Sequence, residues 1–192
     1  MRNSLVARTR SWLGADDDGQ IYLPPVTNVQ GYRLSSAVTC DWHDALTLAH
    51  AGFAADSVGH LELAKALELV RGRPFDGVDP SAYAWAETDA QLMISTVVDI
   101  AHEVAAQRGA AGNYTEAQAA IARGLVADPA NEQLHHDAIT VAAQRGDINE
   151  IRRIVDRLRA QLQSIDPDAT LDPATTQLLE ATVGRSRAGV SR

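Results

Sequence analysis

From residue 42 onward, apolar positions recur every three or four residues. This recurrence predicts helices over 42–52, 56–71, 83–108, 113–127, 131–145, 147–164 and 173–183. In the third, Ala86, Ala90, Met93, Val97, Ala101 and Val104 form one stripe, and in the sixth Ile148, Ile151, Val155, Leu158 and Leu162 do the same. Gly109, Gly112, Pro129, Gly146 and Pro173 fall between the periodic stretches, where breakers belong. Asp172-Pro173 predicts a cap followed by proline at the first helical position, where a missing N–H costs nothing. The first forty residues read differently. Leu5, Val6, Thr9, Trp12 and Leu13 predict a short helix from Arg2 to Leu13, closed by Gly14 in the left-handed conformation. Asp18-Gly19 is a turn pair. Ile21–Leu23 and Gly31–Leu34 flank a loop holding Pro24, Pro25 and Asn28, which predicts a β-hairpin.

A repeat lies in the second half. Gly112-Asn113-Tyr114-Thr115-Glu116-Ala117 aligns with Gly146-Asp147-Ile148-Asn149-Glu150-Ile151 at an offset of 34 residues. That is the period of tetratricopeptide repeats, in which a glycine turns two helices sharply and a small residue admits close packing. Gly112, Tyr114, Ala117 and Pro129 hold the motif's spacing. The second copy has Ile151 at the small position and Gln163 where the proline would stand. An ordinary helical bundle with glycine turns is the other reading. The expected fold class is mainly α, with tetratricopeptide-like stacked helix pairs preceded by a short helix plus β-hairpin.

Several motifs in order resemble the bacterial transcriptional activator domain of the Streptomyces antibiotic regulatory protein family. They are Ala66 to Phe75 (ALELVRGRPF), Trp85 and Glu87, Gly112 to Ala117, Asp128-Pro129 with Glu132, Gly146, and Leu158 to Leu162. The resemblance covers most of the chain, from residue 38 to residue 183. It departs from the family at Glu150-Ile151 and at Ser164-Ile165-Asp166. It implies an all-helical module following an OmpR-type winged helix. Residues 1–40 would be the C-terminal remnant of that winged domain: Arg2–Leu13 the rear of its recognition helix and the hairpin its wing. Residues 41–184 would be the helical module, and 185–192 a basic flexible tail. The preceding parts of a winged helix have no counterpart before Arg2, so the resemblance implies the C-terminal part of a longer regulator. Its function would be that of an effector or oligomerisation module acting by protein–protein contacts. Its partners would be DNA through the complete parent winged helix, other proteins of the transcription machinery, and a second copy of the chain in a homodimer. The alternative is a tetratricopeptide-like scaffold with no role at DNA.

Charge sharpens this picture. The 192 residues carry 17 basic and 25 acidic side chains, a net −8. Residues 1–15 and 185–192 contribute +3 each, which leaves −14 between them. From Pro74 to Gln107 there is no Lys or Arg, but there are Asp76, Asp79, Glu87, Asp89, Asp99 and Glu103. Such a segment repels a phosphate backbone, so Arg2, Arg8 and Arg10 are the candidate DNA contacts. Phe75, Tyr83 and Trp85 lie in or beside the acidic segment. Exposed, they would anchor a basic partner. Buried, Trp85 and Phe75 would fill the core between the first and second helix pairs, the favoured reading. No apolar run approaches the length of a membrane helix and no signal-peptide core opens the chain, so a cytoplasmic location without membrane contact is expected.

Candidate chemistry is sparse. Cys40-Asp41-Trp42-His43-Asp44 groups a thiol, acids and an imidazole, but neighbours at a helix start point apart, and Asp41 reads as a cap with Trp42 in the core. Asp16-Asp17-Asp18-Gly19 lacks the acid that would complete a calcium loop. Adjacent His135 and His136 do not share a helix face. His102 and Glu103 have no second histidine or thiol near them, and Gly109 to Gly112 lacks the Lys-Ser/Thr of a phosphate loop. The expectation is a protein that is not an enzyme, with no catalytic residue, cofactor or metal.

Overall fold

The computed structural model describes residues 2–26, 31–55, 60–79 and 81–189, without the side chains of 2, 3, 60 and 183–189. The chain divides into two compact units, Met1–Asp44 and Ala45–Arg192.

In the first unit, α1 spans Arg2–Leu13. Gly14 closes it at φ 75°, its N–H donating to the Arg10 carbonyl. The next turn is built by Asp16, whose Oδ1 accepts from the N–H of Asp18 and of Gln20. It brings Ala15 and Ile21 into a single antiparallel bridge. The β-hairpin expected between 21–23 and 31–34 is not formed among the described residues; Asn28 lies outside them. The nearest approach is just past the second stretch, where Ser35 N–H donates to the Tyr22 carbonyl at 2.8 Å. The reason is local. Ile21 already bridges Ala15 and Tyr22 N–H donates to the Gly14 carbonyl, so the first stretch pairs with the chain just after α1. Leu23 and Ser35 are the buried residues of this unit, while Leu5 and Trp12 of α1 are exposed.

Helix α2 (Asp41–Ala54) begins in the first unit and runs into the second. The carbonyl of Cys40 accepts from Asp44 N–H, so the cap position is Cys40 and not Asp41. The second unit continues with α3 (His60–Glu68), a 3-10 turn at Ala84–Ala86, α4 (Glu87–Ala110), α5 (Tyr114–Ala127), α6 (Glu132–Gln144), α7 (Ile148–Ile165) and α8 (Pro173–Gly189). The chain is mainly helical, and periodicity located the helices closely. Several ends differ. The helix expected over 56–71 ends at Glu68, and its expected start at 56–59 lies outside the described residues. The 83–108 helix starts with the 3-10 turn and runs to Ala110, and α8 continues past residue 183 through part of the stretch expected as a flexible tail. Residues 190–192 of that tail lie outside the described residues.

Capping explains the starts. Asn131 Oδ1 accepts from Leu134 N–H, Asp147 Oδ1 from Glu150 N–H, and Asp172 Oδ1 from Ala174 N–H beside Pro173. The ends of α4 and α6 repeat one geometry. Gly112 (φ 76°) and Gly146 (φ 70°) each donate to the carbonyl three residues back, and the residue after each donates five back. These are two Schellman motifs 34 residues apart. Two apolar cores result. The larger joins α2 to α6 through Leu63, Leu67, Ile100, Val104, Ile121 and Leu134; the smaller joins α6 and α7 through Ile139, Ile151 and Val155, with Leu178 and Leu179 of α8 against it. Gly124 sets the spacing of the first. A Cβ there would lie 2.7 Å from Ala101 Cβ and 2.6 Å from Leu134 Cδ1.

Candidate protein-interaction surface

The segment between α3 and α4 carries three exposed aromatic groups close together in sequence, Phe75, Tyr83 and Trp85. Helix α3 ends at Glu68 as Leu69 and Val70 N–H turn back to the carbonyls of Ala66 and Leu67. The chain then loops through Gly72, Arg73 and Pro74 to Phe75, whose φ of 58° places it in the left-handed region. A bulky residue rarely stands there, and the conformation costs about 1–2 kcal/mol. A turn follows, closed by Asp76 N–H to the Arg73 carbonyl. Asp79 starts the next one: its Oδ1 accepts from both the hydroxyl and the N–H of Ser81, and these bonds hold its carboxyl below the usual carboxylate range.

This path brings the three candidate aromatics together. Phe75 and Tyr83 both line a shallow hollow of about 190 Å³, whose floor includes Ala86, Ala90 and Ile94 of the 3-10 turn and α4. Tyr83 and Trp85 have ring centroids 5.9 Å apart at 34°, a tilted pair. Trp85 is 71% exposed, Tyr83 40% and Phe75 37%. Trp85 and Phe75 therefore do not fill a core, contrary to the favoured reading. Ala86, buried beside Trp85, takes the inward position instead. The rings share this surface with Asp76, Asp79 and Glu87, all exposed.

The other candidates are placed as follows. Arg8 is exposed on α1. Arg10 is engaged internally, its Nε donating to the Leu23 carbonyl at 2.6 Å and an Nη to that of Pro24. The side chain of Arg2 lies outside the described residues. His135 bonds the Pro129 carbonyl, and His136 bonds Thr175 Oγ1, so the pair points to different neighbours. His102 Nδ1 meets Asp137 Oδ2 at 2.7 Å. Among the described residues no three His, Cys, Asp or Glu side chains gather as metal ligands would. No helix among them is long and apolar enough to cross a membrane.

Sequence reasoning missed Gly124, the strained Phe75, and the groove between α5, α6 and α7 lined by His135. The lining of that groove is shared among three successive helices, and which of their faces meet is set by tertiary packing. Only the helical spacing of Ile121 and Leu125 on α5, and of Ile154 and Arg157 on α7, hinted at faces that look across at each other.

None of the curated proteins matches the chain. The family model of the bacterial transcriptional activator domain matches residues 40–179. That stretch holds α2 to α7, both Schellman turns and the aromatic surface, and it is well over half of the sequence. The chain therefore belongs to the bacterial transcriptional activator domain family, and its role lies in bacterial transcription regulation.

Proposed function

We propose that the chain is the effector module of a cytoplasmic regulator of the Streptomyces antibiotic regulatory protein type. It acts by protein contacts while a winged helix in the complete protein reads DNA, and the helices of residues 41–184 stack in tetratricopeptide-like pairs. In this reading its work involves no enzymatic step. Its partners are DNA through that winged helix, proteins of the transcription machinery and a second copy of the chain.

The exposed rings of Phe75, Tyr83 and Trp85 carry this reading. Interface hot spots are enriched in Trp and Tyr. A strained aromatic beside them fits a surface shaped for a partner, because backbone strain clusters at functional sites. The acidic side chains around the rings favour a basic partner segment and disfavour nucleic acid at this face. The twin turns at Gly112 and Gly146 support the stacked-pair architecture.

Fusing the full chain to a DNA-binding domain of known operator provides the test. Transcription from a reporter bearing that operator should rise above the level given by the DNA-binding domain alone. Tyr83→Ala with Trp85→Ala should remove most of the increase while operator affinity and the chain's thermal midpoint stay unchanged. An inert fusion, or one indifferent to both substitutions, overturns the effector reading and leaves the scaffold alternative.

A further inference from the structure

The aromatic surface does not end at Trp85. The chain passes without a break from the 3-10 turn at Ala84–Ala86 into α4, so residues four and seven places apart stand on one side of the helix. Asp89 and Leu92 follow Trp85 at four and seven places, and Asp99 comes seven after Leu92; all four side chains are exposed. Leu92 is 57% exposed. The opposite side of α4, with Ile94, Val97, Ile100 and Ala101, is buried where the helix packs on α3, α5 and α6. A single exposed leucine is ordinary. Leu92 is not single. Trp85 stands two turns, about 11 Å, before it on the same side, and the Tyr83 ring packs against that of Trp85.

The polar groups around these anchors are already engaged. The hydroxyls of Ser95 and Thr96 both donate to the Leu92 carbonyl, and Gln91 Nε2 donates to Glu87 Oε1. The backbone bonds of α4 close within the helix, so the face offers no strand edge to a partner. It offers apolar anchors a heptad apart, the spacing at which one helix meets another. Charge selects the partner. From Arg73 to Asp99 the chain holds one base, Arg73 itself, against Asp76, Asp79, Glu87, Asp89 and Asp99, a net −4. Arg73 lines the hollow, whose lining includes none of Trp85, Asp89 and Leu92. Asp89 and Asp99 flank Leu92, and neither has an ion-pair partner among the described residues. A second copy docking by the same face would set these acids against their own counterparts.

We propose that the stripe of Trp85, Asp89, Leu92 and Asp99 is the docking face for an amphipathic helix of another protein, one with Lys or Arg on either side of its apolar seam. The seam lies on Trp85 and Leu92, and the cations face Asp89 and Asp99. This rests on the protein-contact reading of the aromatic surface and extends it along α4 to a basic helical partner.

The experiment presents the full chain to a displayed library of randomised alanine-based helices of about five turns. The helices recovered should carry apolar residues three or four and seven places apart, with Lys or Arg beside them. Leu92→Ala should weaken the tightest of them, measured as a free peptide, by about tenfold or more. Asp89→Lys with Asp99→Lys should do the same and flatten the dependence of binding on salt. All three positions are exposed, so the thermal midpoint should stay unchanged. Recovery of no helix, recovery of acidic or uncharged helices, or indifference to these substitutions overturns the proposal. So does self-association of the chain in sedimentation that Leu92→Ala removes, which would give the stripe to a second copy. A failed selection beside a reporter fusion that still activates through Tyr83 and Trp85 retires the basic helix and leaves the effector reading standing.

Discussion

At the scale of single residues, two kinds of glycine do different work. Gly112 and Gly146 sit in the left-handed region with open space where a Cβ would go. Their cost of replacement is backbone strain alone. Gly112→Val should therefore lower stability by about 1–3 kcal/mol. Gly112→Asn should lose markedly less, because asparagine tolerates that region, with Ala111→Ser as the neutral control. Urea midpoints check this; equal losses for Val and Asn would point to crowding and not to strain. Gly124 is the opposite case. Alanine there gains about 1 kcal/mol of helix propensity, but its Cβ meets Ala101 Cβ, which has no rotamer to yield with, and the fully buried Leu134. Overpacking costs of about 1–3 kcal/mol are usual, so Gly124→Ala should be net destabilising. The first glycine type was legible from its place after an apolar stripe. Gly124 was not, because inside a helical pattern a glycine reads only as a weak spot until the neighbouring helix is known. His135 is a further residue-scale case. Its folded pKa lies below its unfolded value, because burial disfavours the imidazolium. The unfolded chain thus takes up a proton first as pH falls. The contribution of neutral His135 is present in full above about pH 6.5 and is lost as pH drops from there through the folded pKa. Urea midpoints of the wild type should fall faster between pH 7.5 and pH 5.5 than those of His135→Gln. Parallel falls would deny His135 the role.

At the scale of elements, α6 is the hub of the second unit, packing on α4, α5, α7 and α8. It ties α8 through a chain of polar groups. Thr175 is fully buried, and its hydroxyl donates to Glu132 Oε2 at 2.7 Å while His136 Nε2 donates to it. Glu132 Oε2 also accepts from Asp172 N–H. Thr175→Val keeps the shape but strips both bonds, leaving a part-buried carboxylate short of a donor. A cost of about 1–3 kcal/mol is expected. It should appear first as faster hydrogen exchange of the α8 amides, with α4 and α5 protection unchanged. Uniform loss of protection across all helices would instead mean that α8 opens only with the whole unit. Breakers and periodicity made helix existence legible, from the stripe of α4 to the Asp172-Pro173 start of α8. The hairpin was misread because two apolar runs around a loop do not fix pairing, and the first run pairs instead with Gly14 and Ala15 just after α1. The exposed side of Trp85 was equally hidden: periodicity tells which residues share a face but not whether a neighbour covers it.

At the scale of the whole molecule, charge separates the tasks. The segment from Pro74 to Gln107 holds six acids, no Lys or Arg and the three exposed rings of Phe75, Tyr83 and Trp85. The basic residues of α1 are the ones suited to phosphate, but Arg10 is held by the carbonyls of Leu23 and Pro24. Arg8 is exposed, and with Arg2 counted by its charge alone about two phosphates at most can be neutralised. The logarithm of the binding constant should then fall with the logarithm of salt at a slope of about −2. Against a net charge of −8, affinity for a labelled DNA duplex at physiological salt should be no tighter than about 100 μM. It should also be indifferent to sequence. Anisotropy titrations at several salt concentrations measure both quantities. A slope much steeper than −2, or tight binding to one duplex and not to its scrambled counterpart, would show that this chain reads DNA itself. The acidic middle would then have to be turned away from the duplex, and the aromatic surface would lose its claim as the chain's main point of contact.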